Sequence, residues 1–360
     1  MFGITAPSWG TTAATVIFVL FIMGMFGSLF TSDGLEQEGG RKNISILSAK
    51  ELEGKIRSLL YSNTDYDEEK CITLLRALIR LTAEKVKESK TKERNVDECD
   101  MDEIVRENLS RQNISYIVLE KFPLNDIICT EAFSLLILVA GTNEVKERTV
   151  NEPEIYGIDV PVRIMRESLD RIKQANGGND VVEDREKIVA ELQRKGALLL
   201  GAYGDGDKDM ATIVVDEYGL NCLLDAANFF RQHLGVCKWV LWALFILCYD
   251  HIENQGHFIR LGGIQKVCCL LGTTKNSVDS QRHGIALLFD SLRESPHGPS
   301  MVTARMIAVS AGIHDVIRES MSLYANESPE IVLMGRQILI GTGYRGEIPE
   351  SSVMNDIVVR

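Results

Sequence analysis

At 360 residues the chain is long enough to bury a sizeable core, and its net charge of −12 excludes nonspecific nucleic-acid binding and favours partners with basic segments. Residues 1–32 carry no charged side chain, so the whole excess of acid falls on the remainder. Hydrophobic residues make up 45% and aromatics only 7%, so Leu, Ile, Val and Ala carry the apolar load and helices packed on helices are favoured.

Taken in order, residues 11–30 (TTAATVIFVLFIMGMFGSLF) contain no charge, and twenty residues of helix reach about 30 Å, the thickness of a bilayer core. The expectation is a single-pass transmembrane anchor. It outranks a cleaved signal peptide because no Lys or Arg precedes the run and the run exceeds the usual length of a signal core. Lys and Arg flank it only on the C-terminal side, at Arg41, Lys42 and Lys50, which puts the large domain in the cytosol. Four Asn-x-Ser sequons, at Asn43, Asn108, Asn113 and Asn326, would accept glycans if that domain were luminal instead. The segments expected are thus a short N-terminal stretch over 1–10, the anchor over 11–30, a polar linker over 31–42, a helical domain over 43–345 and a tail over 346–360.

Beyond the linker a unit recurs. One helix type, rich in Leu and Ile with small residues interspersed, is expected at 69–82, 130–140, 189–203, 237–250, 281–292 and 331–343. The fourth copy is apolar almost all round, and a helix apolar on every face has to be covered on every face. A second helix type is opened by glycine and an aliphatic residue, at Gly157-Ile158, Gly219-Leu220, Gly263-Ile264 and Gly312-Ile313. The glycine permits a sharp turn and close backbone approach. A short third helix precedes it, at 210–218, 255–261 and 302–310. Two highly charged stretches, 84–107 and 174–187, read as solvated loops or frayed ends between units.

The order short helix, Gly-aliphatic turn, helix, loop, long apolar helix resembles the armadillo repeat, most clearly in FIRLGGIQKVCCLLGTT followed by SVDSQRHGIALLFDSL. The resemblance is strong over 180–343 and degenerate over 44–179, and the related HEAT repeat shares the packing pattern. It implies an all-α, right-handed armadillo/HEAT-like α-solenoid of about six irregular repeats, preceded here by one transmembrane helix. The layout is similar to that of membrane-anchored armadillo proteins of the endoplasmic reticulum and mitochondrial outer membrane. Family members that receive basic import signals carry repeated Trp and Asn on the groove helix. Here the glycine-opened helices carry no Trp, since Trp239 and Trp242 lie on the other type, which puts nuclear-import reception in doubt.

Three constellations carry candidate chemistry. Cys237, Cys248, His251 and His257 are zinc-ligand types, but the distance along the helix from Cys237 to Cys248, about 16 Å, is too far for one ion. Asp205, Asp207, Asp209 and Asp216 resemble a calcium loop, yet Met210 stands where the turn glycine is required, so an acidic helix cap is the stronger reading. The third is the groove of a stacked solenoid, lined by the open positions of the glycine-opened helices: Arg163, Asp225, Asn228, Gln265, Lys266, Asp315 and Arg318.

No nucleotide loop, nucleophile elbow or metalloprotease motif is present, so no catalytic residue, metal or cofactor is expected. Nor is a small-molecule substrate. The eight cysteines form no CxxC pair and read as buried hydrophobes in a reducing compartment. The function expected is a non-enzymatic, membrane-anchored scaffold that binds an extended peptide or helix of a protein partner in its groove. The alternative is a nucleotide-exchange regulator of a heat-shock ATPase, implied by the armadillo folds of some such factors.

Overall fold

The computed structural model describes residues 47–61, 67–91, 98–175, 181–293 and 301–348. The chain divides into two units, Met1–Leu47 and Ser48–Arg360, and every described helix belongs to the second. Among the described residues all regular structure is helical. The first helices are α1 (Ala49–Tyr61), α2 (Glu68–Thr91), α3 (Glu98–Lys121), α4 (Asp126–Ala140), α5 (Asn143–Asn151), α6 (Pro153–Tyr156) and α7 (Asp159–Ala175). A three-helix unit then repeats: α8 (Val181–Gly204), α9 (Lys208–Asp216), α10 (Gly219–Phe229); α11 (Leu234–Cys248), α12 (Ile252–Arg260), α13 (Gly263–Thr273); α14 (Val278–Leu292), α15 (Met301–Ser310), α16 (Ile313–Leu323). The last described helix is α17 (Pro329–Gly341).

The long apolar helices pack side by side in the row α2, α4, α8, α11, α14, α17, and the glycine-opened helices form a second row, α7, α10, α13, α16. This order of packing is compatible with a helical solenoid. The apolar pattern dictates it. In α11 ten side chains from Val236 to Cys248 are buried, which one neighbour cannot achieve, and α8 and α14 cover it from two sides. The N-termini of the long helices are capped by short polar side chains, Asn125 on Ile128 N at 3.0 Å, His233 on Val236 N at 3.3 Å and Ser277 on Ser280 N at 3.4 Å.

The glycines divide their expected task. A left-handed residue leads into three of the four glycine-opened helices, Tyr218 (φ 66°) before α10, Gly262 (φ 72°) before α13 and Gly312 (φ 77°) before α16, whereas Gly157 before α7 is extended with φ −64°. Gly219 and Gly263 stand one residue later and serve close approach: a Cβ on Gly263 would lie 2.2 Å from the Phe258 ring, and one on Gly219 2.6 Å from the Val214 carbonyl oxygen.

Several expectations are corrected. The charged stretches 84–107 and 174–187 are largely helical, because α2 runs on to Thr91, α3 starts at Glu98 and α8 starts at Val181. The exposed start of α8 is held by pairs along its own surface, with Lys187 3.0 Å from Glu183. Of the sequons, Asn108 is buried within α3 and receives a hydrogen bond from Arg111 at 3.4 Å, Asn113 is half-buried in the same helix, Asn326 is exposed, and Asn43 lies outside the described residues.

The reading of a single-pass membrane protein of the endoplasmic reticulum or mitochondrial outer membrane is also corrected. Among the described residues no single helix is long and apolar enough to cross a membrane. Only α4 with α5 meets the length and apolarity together, and that pair is bent by 114°. The apolar side chains of α4 are buried against α2, α3 and α8, so they serve the protein core. The run at 11–30 lies outside the described residues.

Candidate functional site: two rows along the stacked helices

The seven residues expected to line a groove fall on four helices stacked side by side. Arg163 lies on α7, Asp225 and Asn228 on α10, Gln265 and Lys266 on α13, Asp315 and Arg318 on α16, and all but the half-buried Lys266 are exposed. Their mutual ties are loose. Lys266 lies 3.7 Å from Asp225 across a layer boundary, Arg163 only 4.0 Å from Glu167 on its own helix, and Arg318 sits over the Tyr344 ring at 5.6 Å. Exposed pairs of this kind contribute little to stability, so these groups are open to other hydrogen-bond partners. At one edge of the row stands Tyr218, 61% exposed, with Arg166 5.6 Å from its ring. A left-handed non-glycine residue costs about 1–2 kcal/mol, and the other two copies use glycine here.

The second row runs along the open edges of the long helices and was missed by sequence reasoning. Lys238 on α11 reaches Asp279 on α14 at 2.8 Å, and Arg282 on α14 reaches both Asp279 at 3.4 Å and Glu330 on α17 at 2.7 Å. Further back, Arg76 on α2 meets Glu131 on α4 at 2.7 Å. Beside this ladder lie aromatic groups: Phe245 stacks on His283 at 6.0 Å and packs against the exposed Tyr249 at 5.3 Å. Burial pulls the His283 imidazole down to about 4, so it is neutral at pH 7. Its charged members are engaged with one another and stitch one layer to the next.

The remaining candidates are accounted for by packing. Asp207 caps α9, accepting from Met210 N at 3.0 Å. The centre of the acidic loop holds a cation already, because buried Lys146 donates to the Asp205 carbonyl oxygen at 2.6 Å. Burial lowers the pKa of this lysine against the opposing pull of Asp207 and Asp205. Of the zinc-type series, Cys237 donates to the Phe230 carbonyl at 3.4 Å, Cys248 is buried, His251 caps α12 and lies 2.9 Å from Thr212 Oγ1, and His257 is exposed. Among the described residues no group of three or more His, Cys, Asp or Glu side chains could hold a metal ion. A hollow of ≈ 480 Å³ at the start of α4 is lined by Glu68, Asn125, Asp126 and Arg185 among others, but Asn125 donates to Glu68 at 2.8 Å and Asp126 is held by Arg171 at 2.6 Å.

Seven cysteines are described, six buried and Cys269 exposed on α13. Burial pushes Cys71 and Cys237 up to about 11 and Cys129, Cys222 and Cys268 up to about 12, and raises Cys248 as well. Because the thiolate is the reactive form, Cys269 should be alkylated by maleimide at pH 7 while these six are spared until the protein unfolds. Peptide mass spectrometry after a short pulse checks it. Modification of Cys268 at the rate of Cys269 would contradict the packing of α13.

These elements define an all-helical, layered stack whose surface carries two lengthwise rows of side chains. No family model matches the chain, and no curated protein does. Two solved structures are similar to it, both crystal structures of engineered proteins. One is 17% identical with a TM-score of 0.53, covering 80% of this chain and 96% of its own. The other is 14% identical with a TM-score of 0.53, covering 82% and 99%. At such identities the likeness concerns the fold alone.

Proposed function

We propose that this protein is a non-enzymatic, armadillo-like scaffold that binds a protein partner along the row formed by α7, α10, α13 and α16. The observation that carries the reading is that row itself. Arg163, Asp225, Asn228, Gln265, Lys266, Asp315 and Arg318 come from four separate layers, share one line of stacked helices and leave most of their hydrogen-bonding capacity unused. Mixed donors and acceptors at successive layers suit an extended peptide or a helix held through side-chain hydrogen bonds. The strained, exposed Tyr218 beside Arg166 supports it, since strain held in place by its surroundings concentrates at functional positions.

A photo-crosslinking amino acid at Gln265, compared with one at Tyr249 on the other row, tests the reading in cells. The expected result is a crosslinked protein from position 265 that is lost on Asp225→Arg with Arg318→Glu. Crosslinks from position 249 alone would move the site to the long-helix row, and none from either would remove the scaffold reading.

A further inference from the structure

At one step of the row the outward-facing cations outnumber the carboxylates that neutralise them. On α7, Arg163 stands 4.0 Å from Glu167 and Lys173 3.6 Å from Asp170, and at the next boundary Lys266 on α13 lies 3.7 Å from Asp225 on α10. Arg166, exposed on the same face of α7 as Arg163, forms no ion pair and no hydrogen bond with any described residue. Its guanidinium lies over the Tyr218 ring at 5.6 Å instead. In a chain of net charge −12 an unmatched arginine among matched cations is an exception, and what it lacks is a carboxylate.

Tyr218 is the second half of the site. It is held left-handed with φ of 66°, where the equivalent residues before α13 and α16 are Gly262 and Gly312. Burial does not compensate that strain, because the side chain is 61% exposed. What the ring does meet is Arg166. A guanidinium laid on an aromatic face is fixed in direction and keeps its edge N–H groups for a planar acceptor. The two helices that carry the pair are in contact beside it, with Cys222 Sγ on α10 3.9 Å from the Val162 carbonyl oxygen on α7.

We propose, resting on the scaffold reading above, that Arg166 held by Tyr218 is the anchor for one Asp or Glu side chain of the protein partner. The guanidinium would donate two parallel N–H bonds to that carboxylate. A doubly charged phosphate would in addition meet Glu167 and Asp170, the next acids along α7, with one unmatched cation to offset them. A single carboxylate is the better match.

The test places a photo-crosslinking amino acid at half-buried Asn221, one turn beyond Tyr218, in the full chain in cells, beside the one at Gln265. Asn221 is neutral, so the local charges are unchanged. The partner peptide captured from position 221 is expected to carry an unphosphorylated Asp or Glu within about three residues of the crosslink, roughly 10 Å of extended chain. Arg166→Gln should cut capture from both positions about tenfold, the loss of one charge-assisted pair. Arg166→Glu should abolish capture, and Arg in place of that acid in the partner should restore it. Tyr218→Gly controls for folding: glycine relieves the left-handed strain, so Tm should rise by about 1–2 °C while capture falls severalfold. Capture from position 265 that Arg166→Gln leaves unchanged would overturn the anchor and leave the scaffold reading standing. So would a captured peptide without Asp or Glu, or with a phosphorylated residue in its place. Capture from neither position removes both readings, and a Tm lowered by Tyr218→Gly would overturn the role given to the tyrosine.

Discussion

Alanine at Trp242 is expected to lower the unfolding free energy by about 3–5 kcal/mol. The side chain is 4% exposed and lies between α11 and α8, two neighbours in the long-helix row, with its ring edge-on to Trp239 at 5.8 Å. Its place exists only because α8 has glycine at 201, where a Cβ would stand 2.2 Å from the indole. Gly201→Ala forces that ring to move and is expected to cost about 1–3 kcal/mol by overpacking. The two substitutions meet at one contact and should not add. With the indole gone the alanine methyl enters space that Trp242 vacated, so Gly201→Ala in the Trp242→Ala background should cost nothing and regain a few tenths of a kcal/mol from helix propensity. Urea unfolding of the two single variants and the double variant gives the coupling. Additive losses would mean that α8 and α11 separate on loss of the indole, and that the row is held by something other than this interlock.

That contact also shows what a sequence discloses and what it hides. Helix α11 was legible because burial on all sides leaves only one reading of its composition, and the recurrence of similar runs disclosed its neighbours. The ends were less so, because caps such as Asn125 and Ser277 are common residues that signal only in place. Helix α3 was hidden for a different reason. Its buried face includes Arg111, paired with Glu107 at 2.7 Å, and Gln112, which donates to Thr149 at 3.0 Å. Polar residues satisfied inside the core erase the apolar period by which a helix is recognised. The ladder from Lys238 to Glu330 could not be read either, since its members are 41 and 48 residues apart and their register depends on how layers stack. The turns into α10, α13 and α16 were located to within one residue, but the one expected at Gly157 is extended backbone. The left-handed Tyr218 was not legible, because nothing local favours tyrosine there. Helical spacing from the turn disclosed the outward-pointing side chains at six of the seven positions named, Lys266 being half-buried.

Layers are also joined by one buried carboxylate, and removing it should cost nearly as much as removing the indole. Asp290 on α14 is 7% exposed, and its Oδ2 accepts from Asp250 N at 2.8 Å and from Gln255 Nε2 at 2.6 Å. Asp250 is held left-handed, with φ of 49°, in the connection between α11 and α12, so a side chain of one layer fixes the turn of the layer before it. Asp290→Ala strips the acceptor from two inward-facing donors and is expected to cost about 2–4 kcal/mol. Asp290→Asn keeps an oxygen for both donors, removes a desolvated charge and loses only the pull of the exposed Arg293 at 3.5 Å, so it should stay within about 1 kcal/mol of the parent. The pH dependence separates charge from hydrogen bonding. Burial raises the Asp290 carboxyl above its usual value of 3.8, against the opposing Asp250 N–H, Arg293 and Gln255. The folded state then binds this proton more tightly than the unfolded chain does, so its contribution is largest below pH 3.8 and falls as pH rises through the elevated value. Relative to Asp290→Asn, the parent should therefore gain stability as the pH is lowered from 7 towards 4. Urea unfolding of the pair across that range measures the difference with the other carboxylates cancelled. A parent that instead loses ground to the asparagine variant on acidification would mean that the hydrogen bonds from Asp250 and Gln255 favour the charged form more than burial penalises it.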